Sequence, residues 1–334
     1  MNMEIGLGEM NSSFGGQRVC VTGGAGFLGR AVCERLRSAG AINLIVPRST
    51  EFDLTDATDV ARLYQIHRPD LVIHLAAEVG GIGANQKRPG RFFFANMAMG
   101  LHLIEGARRF GVKKFVQVAS VCSYPKHCPV PFKEKSFWDG YPEETNAPYG
   151  VAKRALGVMI DAYAREYGLN GIYLVPVNLY GPGDHFDLET SHVIPALIRK
   201  FCEAVDSGAD RVVCWGTGQV TREFLYVDDA AEAVVRAASV LNEPSPINIG
   251  TGEEISIFGL AGIVARLCGY HGAIEWDSSR PDGQPHRRLD TTRAAKLLGW
   301  RATVELEEGL RRTIAWWRDH SSQSVAALVG SGTP

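Results

Sequence analysis

The amino-acid sequence predicts an α/β protein with a doubly wound parallel sheet and a smaller C-terminal α/β lobe for substrate. Three observations support this prediction. Strand-like and helix-like segments alternate from residue 18 onward, which is typical of a parallel sheet covered by helices on both faces. A glycine-rich turn joins the first strand to the first helix. The chain has 334 residues, of which 45% are hydrophobic and 22% charged, so it can bury a full core.

The first half of the chain supplies five strands separated by helices. Apolar runs predict strands at 18–22, 43–46, 71–77 and 114–120, and a fifth strand with its exit loop at 171–181. Helical patterns fill 27–40, 58–66, 91–110 and 148–167. Gly40 and Gly111 follow two of these helices as C′ glycines do, and Pro69 stops a third. Strands joined by helical crossovers lie parallel, which gives the predicted sheet.

The second half of the chain alternates less regularly. It predicts helices at 192–205, 228–240 and 257–267 and from Glu305 onward, strands at 211–215 and 222–227, and short apolar segments at 247–250 and 274–276. We therefore expect a dinucleotide-binding domain over 17–177, to which 226–249 return, and a mainly substrate-binding lobe over 178–320. Residues 1–16 and 321–334 are predicted to be a flexible leader and tail.

The composition argues against nucleic-acid and membrane partners. The net charge is −2, and no basic stripe marks a surface for nucleic acid. No apolar run approaches the length of a membrane span. Residues 1–16 also lack the basic start and apolar centre of a signal peptide.

The cysteines indicate a reducing compartment. Seven cysteines are spread along the chain without a CxxC pair, and no His/Cys cluster has the spacing of a zinc site. An odd number of scattered cysteines fits reduced thiols. The sequence therefore predicts a cytoplasmic protein with no bound metal.

The glycine-rich turn TGGAGFLGR, residues 22–30, is predicted to bind a dinucleotide. Its glycines have the spacing GxxGxxG, which permits a tight turn and a close approach of the backbone to a pyrophosphate. The helix that follows offers unpaired N–H groups and the positive end of its dipole. Because the strand–turn–helix context is present, a dinucleotide is favoured over a simple turn. The residues predicted to bind the cofactor here are Gly23, Gly26, Phe27, Leu28 and Gly29.

The second strand indicates which dinucleotide is bound. NAD-preferring sites carry an acid near the end of this strand, but the sequence NLIVPRST has none before Glu51. It offers Arg48, a cation that suits a 2′-phosphate, although a solvated surface arginine is the alternative. The sequence thus predicts NADP (as NADPH), with NAD as the alternative. Asp53 and Leu54 are expected to meet the adenine edge.

The segment PYGVAK places Tyr149 and Lys153 four residues apart, on one face of a helix. A nearby ammonium is expected to lower the pKa of the phenol, normally about 10, toward working pH. The phenol can then exchange a proton with a carbonyl oxygen during hydride transfer. Ser120, at the end of the preceding strand, is expected to hydrogen-bond the same oxygen. A solvated helix face is the alternative for the Tyr–Lys pair.

The glycine turn, the Tyr–Lys pair and the serine together resemble the extended short-chain dehydrogenase/reductase superfamily over about residues 17–320. Further segments resemble one branch of it, the GDP-L-fucose synthases: AAEVGGIGAN (76–85), SVCSYPKH (120–127), NLYGPGDHFD (178–187), SHVIPALIRK (191–200), WGTGQVTREFLYVDD (215–229) and RPDGQP (280–285). This resemblance implies an NADPH-dependent epimerase–reductase that acts on GDP-4-keto-6-deoxy-mannose. The sequence departs from the family pattern at Val121 and Lys200, so the identity of the sugar in the substrate is not fixed by the resemblance.

The resemblance also implies that Cys122 and His192 work as a catalytic pair. A 4-keto group acidifies the C–H bonds at C3 and C5, and inversion requires a base on one face of the sugar and an acid on the other. Reference pKa values near 8.5 for cysteine and 6.5 for histidine allow both side chains to exchange protons around neutral pH. A buried apolar cysteine and a capping or core histidine are the alternatives.

Further site residues and a dimer follow from the same resemblance. It places Ala76 and Ala77 at the cofactor and Asn178 at either ligand, and it assigns four substrate-binding residues: Lys200, Trp215, Arg222 and Asp282. Trp215 could instead be a core residue, and Asp282 a turn residue. Helices 91–110 and 148–167 are expected to pair across a two-fold axis, forming a homodimer, although their apolar faces could equally belong to the intramolecular core.

Two rival functions remain open from the sequence. The first is a related NAD(P)-dependent epimerase or reductase that acts on another nucleotide-deoxysugar or a GDP-heptose. The second is a binding protein that has kept the fold without turnover. The presence of Ser120, Cys122, Tyr149, Lys153 and His192 together argues against the second, since an inactive relative is expected to have lost at least one of them.

Overall fold

The computed structural model describes residues 14–330 of the chain, with side chains up to Ser321. Twelve strands are present in this range: β1 (Arg18–Thr22), β2 (Asn43–Ile45), β3 (Leu71–His74), β4 (Lys114–Val118), β5 (Gly171–Pro176), β6 (Asn178–Tyr180), β7 (Arg211–Trp215), β8 (Thr221–Arg222), β9 (Phe224–Tyr226), β10 (Ile247–Ile249), β11 (Ile255–Ser256) and β12 (Ala273–Asp277).

Ten α-helices lie in the same part of the chain: α1 (Phe27–Ser38), α2 (Ala57–His67), α3 (Ile82–Lys87), α4 (Pro89–Arg109), α5 (Ala147–Tyr167), α6 (Val193–Ser207), α7 (Val227–Val240), α8 (Ile257–Cys268), α9 (Thr292–Leu298) and α10 (Leu306–Gly330). Local sequence sets their ends. The Asp56 carboxylate caps the start of α2, and Gly40 adopts a φ of +87° just after α1, as predicted for a C′ glycine.

A six-stranded sheet with the order β10-β5-β4-β3-β1-β2 forms the centre of the fold. Every adjacent pair in it is parallel. The chain runs outward from β1 to β2 and then crosses back to β3 on the other side of β1. This reversal is the topological switch point, where open α/β sheets bind ligands beyond the carboxyl ends of their strands. The predicted fold class is confirmed.

The structure departs from the predicted elements in several places. The predicted fifth strand is β5, which ends at Pro176, and the segment expected to be its exit loop forms β6, which pairs with β9. The predicted strand 222–227 is divided between β8 and β9. The short helices α3 and α9 were not predicted. The last helix continues to Gly330, beyond the start of the predicted tail.

Two hydrophobic cores lie on either side of the site. The main core surrounds the six-stranded sheet, and the second packs α6 and α8 against α10. Phe14, at the end of the predicted leader, is buried in the main core, whereas residues 1–13 lie outside the described residues. The division of the chain into two domains at residue 177 stays a prediction.

Candidate active site

One cavity of about 1440 Å³ lies between the carboxyl edge of the main sheet and the second core. All of the site residues expected from the sequence line it, both those assigned to the cofactor and those assigned to catalysis and substrate. They come from the glycine turn, the loops after β2, β3 and β4, helices α5 and α6, strand β6, and the region 214–222 with 280–287. The structure therefore brings together positions that are distant in sequence.

The glycine turn forms a cradle at the amino end of α1. Gly23 has a φ of +71°, and a Cβ there would lie 2.7 Å from the amide nitrogen of Ala76. A Cβ on Gly29 would lie 2.0 Å from the carbonyl oxygen of Gly23, so the turn closes onto the helix only with glycine. Gly26 occupies the N-cap without a side-chain cap, which leaves helix N–H groups available to an anion. This arrangement fits the pyrophosphate of a dinucleotide.

The opposite end of the cofactor region is formed by the loop after β2. Arg48 is exposed at the cavity edge, and its carbonyl oxygen accepts from the amides of Glu51 and Phe52. The Asp53 carboxylate accepts hydrogen bonds from the amide and hydroxyl of Thr55, at 2.9 and 2.7 Å, and these bonds lower its pKa. The Asp53 carboxylate thus hydrogen-bonds within its own loop, and contact of Asp53 with adenine stays a prediction.

Ser120, Tyr149 and Lys153 meet at the end of β4. Ser120 caps the 3-10 turn Val121–Ser123 by accepting the amide of Cys122 at 3.2 Å, and its hydroxyl lies near the Tyr149 phenol. Tyr149 and Lys153 are buried on one face of α5. The Lys153 ammonium donates to the carbonyl oxygen of Val118 at 3.3 Å. These contacts fix the three side chains relative to the strand end.

The expected effect of Lys153 on the Tyr149 phenol was wrong in direction. Burial, followed by the proximity of Cys122, raises the pKa of Tyr149, and the hydrogen bond from Ser120 offsets this only in part. Burial also lowers the pKa of Lys153 to about 8. Burial is thus the main cause of both pKa shifts, and Tyr149 remains a neutral phenol with a proton to donate.

Cys122 and His192 both face the cavity. Cys122 is partly exposed, whereas the other six cysteines are buried. His192 occupies the N-cap of α6. Its ring is accessible through the cavity, yet protein surrounds that cavity, so desolvation lowers the pKa of His192, and the positive charges of Arg287 and His185 lower it further. At neutral pH the imidazole is mainly neutral.

Arg287 is a site residue that the sequence did not indicate. It is buried, and its Nη1 lies 3.5 Å from the Cys122 sulfur and 3.4 Å from the Asn178 side-chain oxygen. Asn178 in turn donates through Nδ2 to the carbonyl oxygen of Glu223 at 3.1 Å. Arg287 follows the RPDGQP segment in a loop rich in arginine, where the sequence offers no sign of burial.

Lys200 and Trp215 form the cavity wall at the second core. Trp215 is 44% exposed, so it is not the core residue that the sequence left open as an alternative. Lys200 and Arg280 lie on its ring, at 5.6 and 4.7 Å from the ring centre. Lys200 Nζ donates to the carbonyl oxygen of Val213 at 2.8 Å. The wall thus presents an aromatic face between two cations, which suits a nucleotide.

The side chains of Arg222 and Asp282 make most of their hydrogen bonds to other groups of the protein. The Asp282 carboxylate accepts from the amide and the hydroxyl of Thr217, both at 2.8 Å, which favours its alternative role in shaping a turn. The Arg222 guanidinium donates to the carbonyl oxygens of Thr221, Asp282 and Gln284. Burial, followed by the charge of Arg287, lowers the pKa of Arg222 to about 9. Direct contact of either residue with substrate stays a prediction.

Two other kinds of feature are absent from residues 14–330. This part of the chain contains no group of three or more His, Cys, Asp or Glu side chains that could hold a metal ion. Nor does any helix described here combine the length and the apolar character needed to cross a membrane.

The chain is similar to known sugar-nucleotide enzymes. Residues 19–250 match the NAD dependent epimerase/dehydratase family. Over 300 residues, 90% of this chain and 93% of the relative, it is 40% identical to GDP-L-fucose synthase 1 of Arabidopsis thaliana. A solved GDP-6-OMe-4-keto-L-xylo-heptose reductase from C. jejuni matches with a TM-score of 0.86 and 28% identity, over 91% of this chain and 98% of that one. A GDP-L-fucose synthetase from Naegleria fowleri bound to NADP matches with a TM-score of 0.83 and 28% identity, over 92% and 96%.

Proposed function

The chain belongs to the NAD dependent epimerase/dehydratase family and, within it, to the GDP-L-fucose synthases, and we propose that it converts GDP-4-keto-6-deoxy-D-mannose to GDP-L-fucose with NADPH. One observation carries this proposal. Ser120, Cys122, Tyr149, Lys153 and His192 line a single cavity together with a dinucleotide cradle. A simple reductase needs only the serine, tyrosine and lysine, whereas the accessible thiol and imidazole supply two further proton-exchanging groups.

The chain's own residues can hold the cofactor along the first part of the cavity. The cradle at Gly23 and Gly29 receives the pyrophosphate, and Ala76 and Ala77 line the cavity beyond it. Arg48 lies where it can contact a 2′-phosphate, which favours NADPH over NADH. When bound, NADPH supplies the hydride that reduces C4 of the sugar. The similar GDP-L-fucose synthetase from Naegleria fowleri is bound to NADP in its solved structure, which supports this choice.

Cys122 and His192 perform the inversions at C3 and C5. Cys122, as a thiolate, takes the proton from the sugar carbon, and the electron pair of the broken C–H bond moves to O4 as an enolate. Ser120 and Tyr149 donate hydrogen bonds to that oxygen. The protonated form of His192 donates its proton to the same carbon from the other face and is left neutral, and the 4-keto group reforms. Cys122 and His192 then exchange protons with solvent before the second inversion. Each inversion thus changes the configuration without changing the oxidation state.

Tyr149 completes the reduction at C4. Because burial raises its pKa, the phenol keeps its proton until O4 gains charge on hydride arrival, and then donates it. Ser120, which lies near the phenol, helps to orient it toward O4. Lys153, with a pKa of about 8, is mainly protonated at neutral pH and can hydrogen-bond the nicotinamide ribose.

We also propose that the enzyme is a cytoplasmic homodimer. Helices α4 and α5 pack on each other and expose several large apolar side chains nearby: Phe93, Phe94, Leu101, Trp138, Tyr141 and Val158. An exposed apolar patch of this kind is typical of a protein interface. The free state of all seven cysteines supports a reducing compartment.

A related reductase acting on a GDP-heptose is the second candidate. The similarity to the heptose reductase from C. jejuni favours it, since that match covers nearly all of both chains. The test is to measure kcat/KM for NADPH oxidation with GDP-4-keto-6-deoxy-D-mannose and with a GDP-4-keto-heptose. At least a hundredfold preference for the deoxymannose compound is expected, about 3 kcal/mol of discrimination. A preference for the heptose would favour the second candidate.

A further inference from the structure

We propose that Arg287 is a positioning residue for Cys122, whose buried guanidinium fixes the sulfur and stabilises it as a thiolate. The inference rests on the proposed function, because it gives Arg287 a part in the epimerisation step. It also concerns the free enzyme, where the contact between the two side chains is already made. Arg287 then acts on the inversions at C3 and C5 more than on the reduction at C4.

The Arg287 side chain is buried, and its hydrogen bonds hold the guanidinium in one orientation. The residue is only 5% exposed. Its Nη1 lies 3.5 Å from the Cys122 sulfur, within hydrogen-bond distance of a sulfur acceptor, and 3.4 Å from Asn178 Oδ1. A guanidinium presents its donors in a rigid plane, so these two contacts fix the direction of approach to the sulfur.

A second contact ties Arg287 to the loop that carries Cys122. Arg287 Nε donates to Gln284 Oε1 at 3.2 Å. Gln284 is itself buried, and its Nε2 donates to the carbonyl oxygens of Pro125 and Lys126, at 3.0 and 2.9 Å. The two carbonyls lie three and four residues after Cys122. Gln284 therefore links the Arg287 guanidinium to the loop after Cys122, which restrains the sulfur and the guanidinium relative to each other.

The charge of Arg287 suits the role given to Cys122. A thiolate that removes a proton from carbon must exist before the C–H bond breaks, and a cationic hydrogen-bond donor beside the sulfur favours it. Arg287 supplies a charge-assisted hydrogen bond to it, which favours the thiolate over the neutral thiol. The proton then passes from carbon to sulfur, and the bond's electron pair moves to the enolate oxygen. Arg287 keeps its own protons throughout.

Alkylation of the free enzyme tests the proposal without any substrate. Neutral iodoacetamide is used, since a negatively charged reagent would itself be attracted by the arginine, and the rate at Cys122 is followed at pH 7.5 by peptide mapping. We expect Arg287→Met to slow the reaction about tenfold, the loss of one charge-assisted hydrogen bond. Arg287→Lys should restore the rate to within about threefold of the original, because it keeps the charge. Arg301→Met removes an exposed arginine away from the cavity and should leave the rate unchanged.

The proposal would be overturned if Arg287→Met left the rate of Cys122 alkylation unchanged. It would also be overturned if Arg287→Met lowered that rate and Arg287→Lys did not restore it. If Arg287→Met does not give a folded protein by circular dichroism, Arg287→Gln replaces it with the same two outcomes. During turnover, Arg287→Met should lower deuterium exchange at C3 and C5 by at least tenfold more than it lowers hydride transfer. An equal loss in both would mean a structural role only. If the original enzyme does not turn over the deoxymannose compound, the proposed function fails, and the alkylation rates still decide the role of Arg287.

Discussion

The ammonium of Lys153 lies 5.8 Å from the centre of the Tyr149 ring and donates its hydrogen bond to the carbonyl oxygen of Val118 rather than to the phenol. The two side chains share a helix face and a cavity, but both are buried, and burial shifts the pKa of each toward its neutral form. Tyr149 is therefore available as a neutral proton donor in the proposed mechanism, and the proposed role of Lys153 is to hold the cofactor.

Tyr149→Phe should abolish NADPH oxidation. The phenol is the proposed proton source for O4, and loss of a positioned general acid lowers a rate by about 10²–10⁴-fold. The measurement is the initial rate at the nicotinamide absorbance band, together with NADPH affinity from a fluorescence titration. Affinity should change little. Tyr163→Phe, on the same helix but bonded to Glu105 away from the cavity, is the matched control. Normal turnover by Tyr149→Phe would remove the residue from the mechanism.

Lys153 should make the stability of the enzyme rise with pH above 8. Its pKa is about 8 when folded and about 10.4 when unfolded, so between these values the unfolded chain binds a proton that the folded chain has released. Raising the pH through this window therefore favours the folded state. In urea unfolding at pH 8 and pH 10.5, the original enzyme should gain about 2.5 kcal/mol relative to Lys153→Met. Parallel stability profiles for the two proteins would contradict the burial of an ionisable lysine.

Cys122→Ser should lose exchange of the substrate protons with solvent. A serine hydroxyl does not ionise near neutral pH, so it cannot serve as the base for C3 and C5. The measurement is deuterium incorporation into the recovered sugar nucleotide in deuterated water, and reduction of the unepimerised ketone can persist. Cys128→Ser, at a buried cysteine to which no role is assigned, is the control and should exchange normally. Exchange by Cys122→Ser at the original rate would exclude the thiol as the base.

Arg48→Ala should weaken NADPH binding more than NADH binding. Only NADPH carries the 2′-phosphate, and a charge-assisted contact to it contributes about 1.5–3 kcal/mol, or roughly 10- to 100-fold in affinity. Dissociation constants for both cofactors, measured by fluorescence at fixed ionic strength, give the ratio. Arg301→Ala should leave both constants unchanged. If Arg48→Ala weakens both cofactors equally, Arg48 does not contact the 2′-phosphate.

The parallel sheet could be predicted because its strands are short apolar runs separated by long helical patterns. The elements that escaped prediction have weaker local signals. Helices α3 and α9 contain only six and seven residues, too few for a hydrophobic period to be recognised. The exit of the chain from the sheet within 171–181 was expected, but the pairing of its last part, β6, with β9 depends on a strand more than 40 residues away, which no local pattern reports.

The parts of the candidate site that belong to recognisable sequence motifs could be predicted. The glycine turn and the Tyr–Lys pair have spacings with a physical meaning, and the structure places both at one cavity. The direction of the Tyr149 pKa shift was wrong because spacing reports proximity but not burial. Arg287 escaped because an arginine in a polar loop is usually exposed, and its burial depends on Gln284 and on the distant loop after Cys122.

The most direct test of the proposed function is NMR of the product formed from GDP-4-keto-6-deoxy-D-mannose and NADPH in deuterated water. The proposed function predicts GDP-L-fucose with deuterium at both C3 and C5, because proton exchange at these carbons precedes hydride transfer to C4. Reduction without deuterium at either carbon would contradict it and leave a simple 4-reductase.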